Sequence, residues 1–271
     1  MMSSKGSALI TGGSSGIGYE LARLFARDGY DIVLVARGQP ALEKAQQGLA
    51  SQYGVRVTTM GKDLADPKAP QEVFDELEQQ GVRVDVLVNS AGFGTYGEFA
   101  DIDMAQELSQ IQVNIVALTV LTKLFLRPML RRRSGRVLNV ASTAAFQPGP
   151  LMAVYYASKA YVLYLSEALS AELEGTGVTV TALCPGPTRS GFQARAGIQG
   201  VRLLAAGVMD AGDVARAGYV GLMNGKRVVV PGWHNQLIAL AARLAPRGLT
   251  LKAAKWAQER NHAAEQSHSA G

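Results

Sequence analysis

Cysteine is nearly absent from this chain: Cys184 is the single one among 271 residues. No intramolecular disulfide can form, and a reducing, cytoplasmic setting is expected. Cys184 sits in an apolar run just before Pro185, where a thiol behaves as a small hydrophobe. Histidine is scarce too: His234, His262 and His268 lie near or in the C-terminal tail, with no ligand spacing, so no metal site is expected. No run reaches the roughly 18 uninterrupted apolar residues of a membrane span. The longest apolar stretch, Ile111 to Leu126, is broken by Gln112, Asn114 and Lys123. Met1 to Ser7 holds none of the apolar character of a signal peptide. The net charge is a modest +5, and the only basic cluster is Arg131-Arg132-Arg133. No aromatic residue interleaves with it, so it reads as a helix end favoured by the helix dipole and not as a nucleic-acid patch. Linkers and internal repeats are likewise absent.

What is abundant is apolar surface, 48% of residues, and glycine, 30 residues. Short apolar runs alternate with longer stretches of helical period. The runs are Ser7–Thr11, Asp31–Val35, Val55–Thr59, Val84–Asn89, Arg136–Ala141, Thr179–Leu183 and Arg227–Val230, rich in Val, Ile and Leu as strands buried on both faces are. Between them helices are expected over Ile17–Asp28, Ala41–Tyr53, Ala69–Gln79, Met104–Arg132, Tyr156–Glu174 and Ala211–Asn224. This alternation predicts an α/β, doubly wound Rossmann fold: a seven-stranded parallel sheet with helices on both faces. The expected division is one nucleotide-binding catalytic domain over 1–232, a helical extension over 233–261 and a disordered tail over 262–271. Within the domain, 190–208 should form a lid, because ligands of open α/β sheets bind beyond the carboxyl ends of the strands.

Two constellations carry chemistry. Thr11-Gly12-Gly13-Ser14-Ser15-Gly16-Ile17-Gly18 follows a predicted strand and opens a predicted helix. Glycines there let a pyrophosphate approach the main chain, and the helix N-terminus meets it with free N–H groups. About twenty residues on, where an acidic side chain would take an NAD ribose, stand Ala36 and Arg37. A guanidinium suits a 2′-phosphate, which points to NADP(H). The second constellation is Ser142, Tyr155 and Lys159. Positions i and i+4 share a helix face, and a lysine charge favours the phenolate of a neighbouring tyrosine, so a lowered Tyr155 pKa is expected, making it a proton donor and acceptor. Each residue read alone has an ordinary structural alternative: a cap serine, a surface Tyr/Lys pair, a solvated arginine.

With these residues in hand, the chain resembles a short-chain dehydrogenase/reductase of the compact single-domain branch, from about Ser7 to Val230. The spacing Thr11-Gly12-x-x-x-Gly16-x-Gly18 is that family's. Asp63-Leu64 follows the third strand, where relatives cap the adenine. Asn89-Ser90-Ala91-Gly92 stands for the family's Asn-Asn-Ala-Gly, with Ser90 a departure. Asn114 lies inside the long helix as the catalytic asparagine does, and Pro185-Gly186-Pro187-Thr188 follows the sixth strand with its threonine earlier than usual. The resemblance implies a catalytic tetrad of Asn114, Ser142, Tyr155 and Lys159. It also implies a cofactor site of Gly12, Ser14, Ser15, Gly16, Ile17, Gly18, Arg37, Asp63, Leu64, Asn89, Ala91, Gly92, Tyr155, Lys159, Pro185, Gly186 and Thr188. In it, Tyr155 protonates an alkoxide, Ser142 holds the carbonyl oxygen, Lys159 binds the nicotinamide ribose, and Asn114 bends its helix and holds a relay water. Thr188 reaches the nicotinamide amide or the diphosphate.

Phe93, Phe146 and Phe192, with Ile198, Val201, Leu203 and Leu204, suggest an apolar ketone, 3-oxoacyl or steroid-like, with Arg195 and Arg202 solvated or facing an anionic group. The extension resembles that of 3-oxoacyl and 17β-hydroxysteroid reductases. It is expected to pack on its own subunit or a partner, with membrane contact as the alternative. A homodimer or homotetramer is expected by resemblance. A non-catalytic NADP-binding sensor, or an epimerase on a related fold, is the competing class. A sensor would be expected to lose Tyr155 or Lys159, and an epimerase usually shows a different glycine spacing.

Overall fold

The computed structural model describes residues 4–205 and 207–259. The tail over 262–271, with His262 and His268, lies outside the described residues. The order is β1 (Ser7–Thr11), α1 (Gly16–Arg27), β2 (Asp31–Ala36), α2 (Gln39–Tyr53), β3 (Val57–Gly61), α3 (Ala69–Gln79), β4 (Val84–Asn89), α4 (Met104–Ile111), a π-helical segment (Gln112–Ala117) and α5 (Leu118–Arg132). Then come β5 (Gly135–Val140), a 3-10 turn (Thr143–Phe146), α6 (Ala153–Glu172), β6 (Val178–Leu183), α7 (Phe192–Ala196), α8 (Arg202–Ala205), α9 (Ala211–Met223), β7 (Val228–Val229), α10 (Trp233–Leu244) and α11 (Arg247–Gln258).

The strands form one seven-stranded parallel sheet in the order β3-β2-β1-β4-β5-β6-β7. Alternation within each strand feeds a separate core on each face. Ala8 and Ile10, with Ile32, Leu34, Val86 and Val88, pack under Leu21 and Phe25 of α1, Leu42 of α2 and Leu222 of α9. Leu9, Val33, Val35 and Leu87 point the other way, against Val73 of α3 and Leu121, Phe125 and Met129 of α5. Strand order reverses between β1 and β4, and a crevice opens there at the carboxyl ends, the usual ligand position of such sheets.

Several boundaries differ from expectation. β3 begins at Val57, not Val55, because its pairing with β2 starts at Ile32 opposite Val57 after Gly54 ends α2 in a left-handed conformation (φ 67°). β7 shrinks to two residues. α6 starts at Ala153, which places Tyr155 inside its first turn. The helical run 104–132 is, by length and composition, long enough to cross a bilayer, yet Val113, Ala117, Leu121, Phe125 and Met129 dock it on the sheet.

Candidate active site

The crevice is a cleft of about 400 Å³, a size ordinary for small-molecule sites. Its floor is the glycine loop. Gly12 and Gly16 hold φ of 65° and 56°, backbone that L side chains rarely adopt. A Cβ on Gly12 would come within 3.0 Å of the Ala91 backbone, and one on Gly18 would collide with the Gly12 carbonyl. The loop is therefore bare main chain pressed against β4. Thr11 Oγ1 welds the two strand ends, accepting from the Ser90 and Ala91 N–H groups at 3.1 Å each. Ser15 takes the N-cap position of α1 without a side-chain cap, which leaves the first-turn N–H groups for a ligand. This chain thus fits a dinucleotide's diphosphate.

Gly12, Ser14, Ser15, Gly16, Ile17 and Gly18 all line the cleft, as do Arg37, Asp63 and Leu64 at one end. Arg37 is exposed. Ala91, Gly92 and Phe93 follow, then Pro185, Gly186 and Thr188, then Phe192. Thr188 Oγ1 donates to the Gly186 carbonyl at 2.9 Å.

Ser142, Tyr155 and Lys159 converge in the same cleft. Ser142 follows β5, and its Oγ accepts from the Ala144 N–H at 3.1 Å. The Ser142 hydroxyl donates to the Pro185 carbonyl at 3.4 Å and stands near enough to the Tyr155 phenol to favour its ionised form. One turn along α6, Lys159 Nζ lies 5.8 Å from the Tyr155 ring centroid and donates to the Val140 carbonyl at 2.8 Å. Burial pushes the Tyr155 phenol up, only partly offset by the Ser142 hydroxyl. Burial also lowers Lys159 from its ordinary value to about 8. The expected lowering of Tyr155 by the lysine is thus reversed, because desolvation of the phenolate dominates. At neutral pH the phenol keeps its proton.

Asn114 does not line the cleft; it stands behind it, 1% exposed, in the π segment. Its Nδ2 donates to the Phe93 carbonyl (2.9 Å) and Ser158 Oγ (3.1 Å), and its Oδ1 accepts from the Phe93 N–H (3.2 Å). Ser158 in turn donates to the Tyr155 carbonyl at 2.7 Å. Oδ1 of Asn114 and Nζ of Lys159 both lie within 3.4 Å of where a Cβ on Gly92 would sit, so a side chain there would press on both.

Two expected residues face elsewhere. Asn89 is 2% exposed beneath the cleft, donating to Thr122 Oγ1 (3.0 Å) and Asn139 Oδ1 (2.9 Å). Its amide braces strands rather than meeting a ligand. Phe146 lies outside the cleft, in the cluster around Leu118 and Val162 with the Arg243 guanidinium 5.3 Å from its ring. The 3-10 turn carries it away from the cleft to that packing.

Over the cleft, Phe192 of α7 meets the Tyr155 ring at 5.1 Å between centroids, and Arg195, Ile198, Leu203 and Leu204 complete the roof. Arg202 turns outward, pairing with Glu259 at 2.9 Å and lying 5.3 Å from the Trp256 ring. Sequence reasoning missed Met152, Tyr156, Asn235, Ile238 and Gln258, all of which line the cleft. Gln258 is 1% exposed; its Nε2 donates to the Tyr156 hydroxyl, and its carbonyl accepts from Tyr96 at 2.7 Å. The run of polar residues at the end of α11 offered no signal for this, since the contact spans 102 positions.

A doubly wound parallel sheet with a glycine loop at its switch point and a Ser/Tyr/Lys cluster in the same crevice defines a dinucleotide-dependent oxidoreductase. The short chain dehydrogenase family profile matches residues 7–199, and the chain belongs to that family. It is 35% identical over 187 residues to a short chain dehydrogenase of Pseudocercospora fijiensis, covering 68% of this chain and 60% of that one. It is 33% identical over 184 residues to a very-long-chain 3-oxoacyl-CoA reductase of Anas platyrhynchos, covering 66% and 58%. The match therefore spans about three fifths of these relatives' length. Among solved structures, a short-chain dehydrogenase from Sphingobium yanoikuyae in complex with NADPH superposes with a TM-score of 0.80 at 34% identity, covering 87% of this chain and 92% of that one.

Proposed function

We propose that the chain is an NADP(H)-dependent reductase of apolar ketones, of which 3-oxoacyl compounds are one class, working in either direction. The observation that carries this reading is the convergence of Ser142, Tyr155 and, one turn away, Lys159 in the same crevice as the bare glycine loop. Arg37 at the far end supports NADP through charge-assisted bonds to a 2′-phosphate. The NADPH complex of the Sphingobium neighbour agrees, and the duck relative supports a 3-oxoacyl substrate.

When bound, the nicotinamide supplies or accepts the hydride. The chain positions and protonates. Main-chain N–H groups at the start of α1 would take the diphosphate, and Lys159 Nζ the nicotinamide ribose. Ser142 Oγ donates to the carbonyl oxygen and holds it beside Tyr155 Oη. Because burial keeps that phenol protonated, it gives its proton to the oxygen as negative charge develops there. The Lys159 cation then stabilises the phenolate left behind. Phe192, Ile198, Leu203 and Leu204 exclude water and favour an apolar carbon skeleton.

The test is NADPH oxidation against apolar ketones and 3-oxoacyl thioesters, wild type beside Tyr155→Phe. The variant should lose about 10²–10⁴-fold in kcat while still binding NADPH. Tight NADPH binding by wild type, with no turnover of any substrate in either direction, would instead identify a sensor.

A further inference from the structure

The last two helices wear their apolar side chains on the outside. On α10, Trp233, Leu237, Leu240 and Leu244 recur at i, i+4, i+7 and i+11, one stripe along the helix, and their exposures are 63, 56, 54 and 77%. On α11, Leu249 and Trp256 share a face and are each 62% exposed. The buried residues lie off these stripes: Ala239 on α10, and Thr250, Ala254 and Gln258 on α11. A helix seated on a water-facing surface shows the reverse arrangement. Isolated exposed leucines are ordinary, but a contiguous set marks an interaction surface.

Charge identifies the partner. No Asp or Glu occurs from Val214 to Gln258, while α10 and α11 carry Arg243, Arg247, Lys252 and Lys255. Arg243 leans on Glu167 at 3.6 Å. Arg247, Lys252 and Lys255 are exposed and form no ion pair with another described residue. A second copy docked here by a two-fold axis would set these cations against themselves. An apolar stripe flanked by cations complements a bilayer surface with anionic headgroups. The same two helices supply Asn235, Ile238 and Gln258 to the cleft wall.

We propose that α10 and α11 form a peripheral docking surface for anionic phospholipid bilayers. Docking would bring the wall of the cleft to the surface in which an apolar substrate dissolves. The proposal does not rest on the redox reading, and its test involves no turnover.

The full chain is co-sedimented with vesicles of phosphatidylcholine alone and of phosphatidylcholine with about 30% phosphatidylglycerol. Binding is expected to the anionic vesicles, weakening about tenfold as salt shortens the Debye length. Two variants separate the contributions: Leu240→Ser/Leu244→Ser removes apolar contact, and Arg247→Glu/Lys252→Glu/Lys255→Glu reverses the charge. Each should lower the partition coefficient at least about tenfold with an unchanged far-ultraviolet dichroism spectrum. Wild type left in the supernatant with both vesicle types overturns the proposal, and so do variants that bind as wild type does. A lower solution mass for Leu240→Ser/Leu244→Ser by light scattering also overturns it, by making this face a subunit contact.

Discussion

Lys159 and Tyr155 stand one helical turn apart, and burial drives their protonation equilibria in opposite directions. Lys159 falls from 10.5 to about 8 when folded. Between those values the unfolded chain holds a proton that the native protein has released, so this group makes stability rise with pH across that window. At about 1.4 kcal/mol per pH unit, the full rise is ~3 kcal/mol, and below pH 8 the buried cation is a net cost. Cys184 and Tyr155, raised by burial, act oppositely once their unfolded counterparts ionise. The difference between wild type and Lys159→Met therefore isolates the lysine. In guanidinium unfolding of the cofactor-free protein, the variant should gain on wild type at pH 7 and lose that advantage by pH 10. A difference independent of pH would show that Lys159 keeps its ordinary pKa. Arg37 permits a second residue-level prediction. A charge-assisted bond lost to a phosphate costs about 1.5–3 kcal/mol, so Arg37→Ala should weaken NADPH binding about 10–100-fold in a fluorescence titration and leave NADH nearly unchanged. Equal weakening of both would remove Arg37 from 2′-phosphate recognition.

At the scale of elements, a buried polar ladder fixes the strands beneath the cleft. Asn89 donates to Thr122 on α5 and to Asn139, its register partner on β5; Asn139 donates to Ser166 on α6 at 3.0 Å. Asn139→Ala would leave one of the two Asn89 amide hydrogens without an acceptor at 2% exposure and remove the donor to Ser166, and unsatisfied buried groups cost about 1–3 kcal/mol each. Urea unfolding should show a loss of roughly 2–4 kcal/mol; a loss below about 0.5 kcal/mol would mean that water satisfies these groups. This ladder also shows what the sequence could and could not convey. The strands were legible because burial on both faces leaves uninterrupted Val, Ile and Leu, and the glycine loop because its spacing repeats a backbone requirement. The start of α6 was not, since Met152 caps it without a side-chain bond and Leu151 turns the chain with φ 65°, which no propensity assigns to leucine. The family spacing brought Asn89 to notice, and its place on the loop between Ser142 and Tyr155 brought Phe146, but their direction depends on Asn139, 50 residues away from Asn89, and on Arg243, in the C-terminal helices.

Over the whole molecule, the C-terminal helices close the substrate end of a cleft whose chemistry is placed by the sheet. Gln258 ends α11, and three of its polar atoms define a polar spot in the wall of the cleft. Its carbonyl takes the Tyr96 hydroxyl, its Nε2 meets the Tyr156 hydroxyl, and its Oε1 is buried with no hydrogen-bond partner among the described residues. Tyr156 itself stands 6.1 Å from Tyr155 between ring centroids, so the spot lies beyond the reacting carbonyl and not at it. A substrate carrying a hydroxyl or amide donor at that distance would satisfy Oε1; a purely hydrocarbon one would leave its desolvation uncompensated. Gln258→Leu keeps the volume and removes both polar atoms. For a ketone with a distal hydroxyl, kcat/KM should fall about tenfold, the worth of one buried hydrogen bond. For the hydrocarbon ketone of equal length it should hold or rise. Measured as a pair, the two ratios separate recognition from support. If both substrates lose equally, Gln258 acts by holding α11 against Tyr96 and Tyr156, and the far wall of the cleft selects by shape alone.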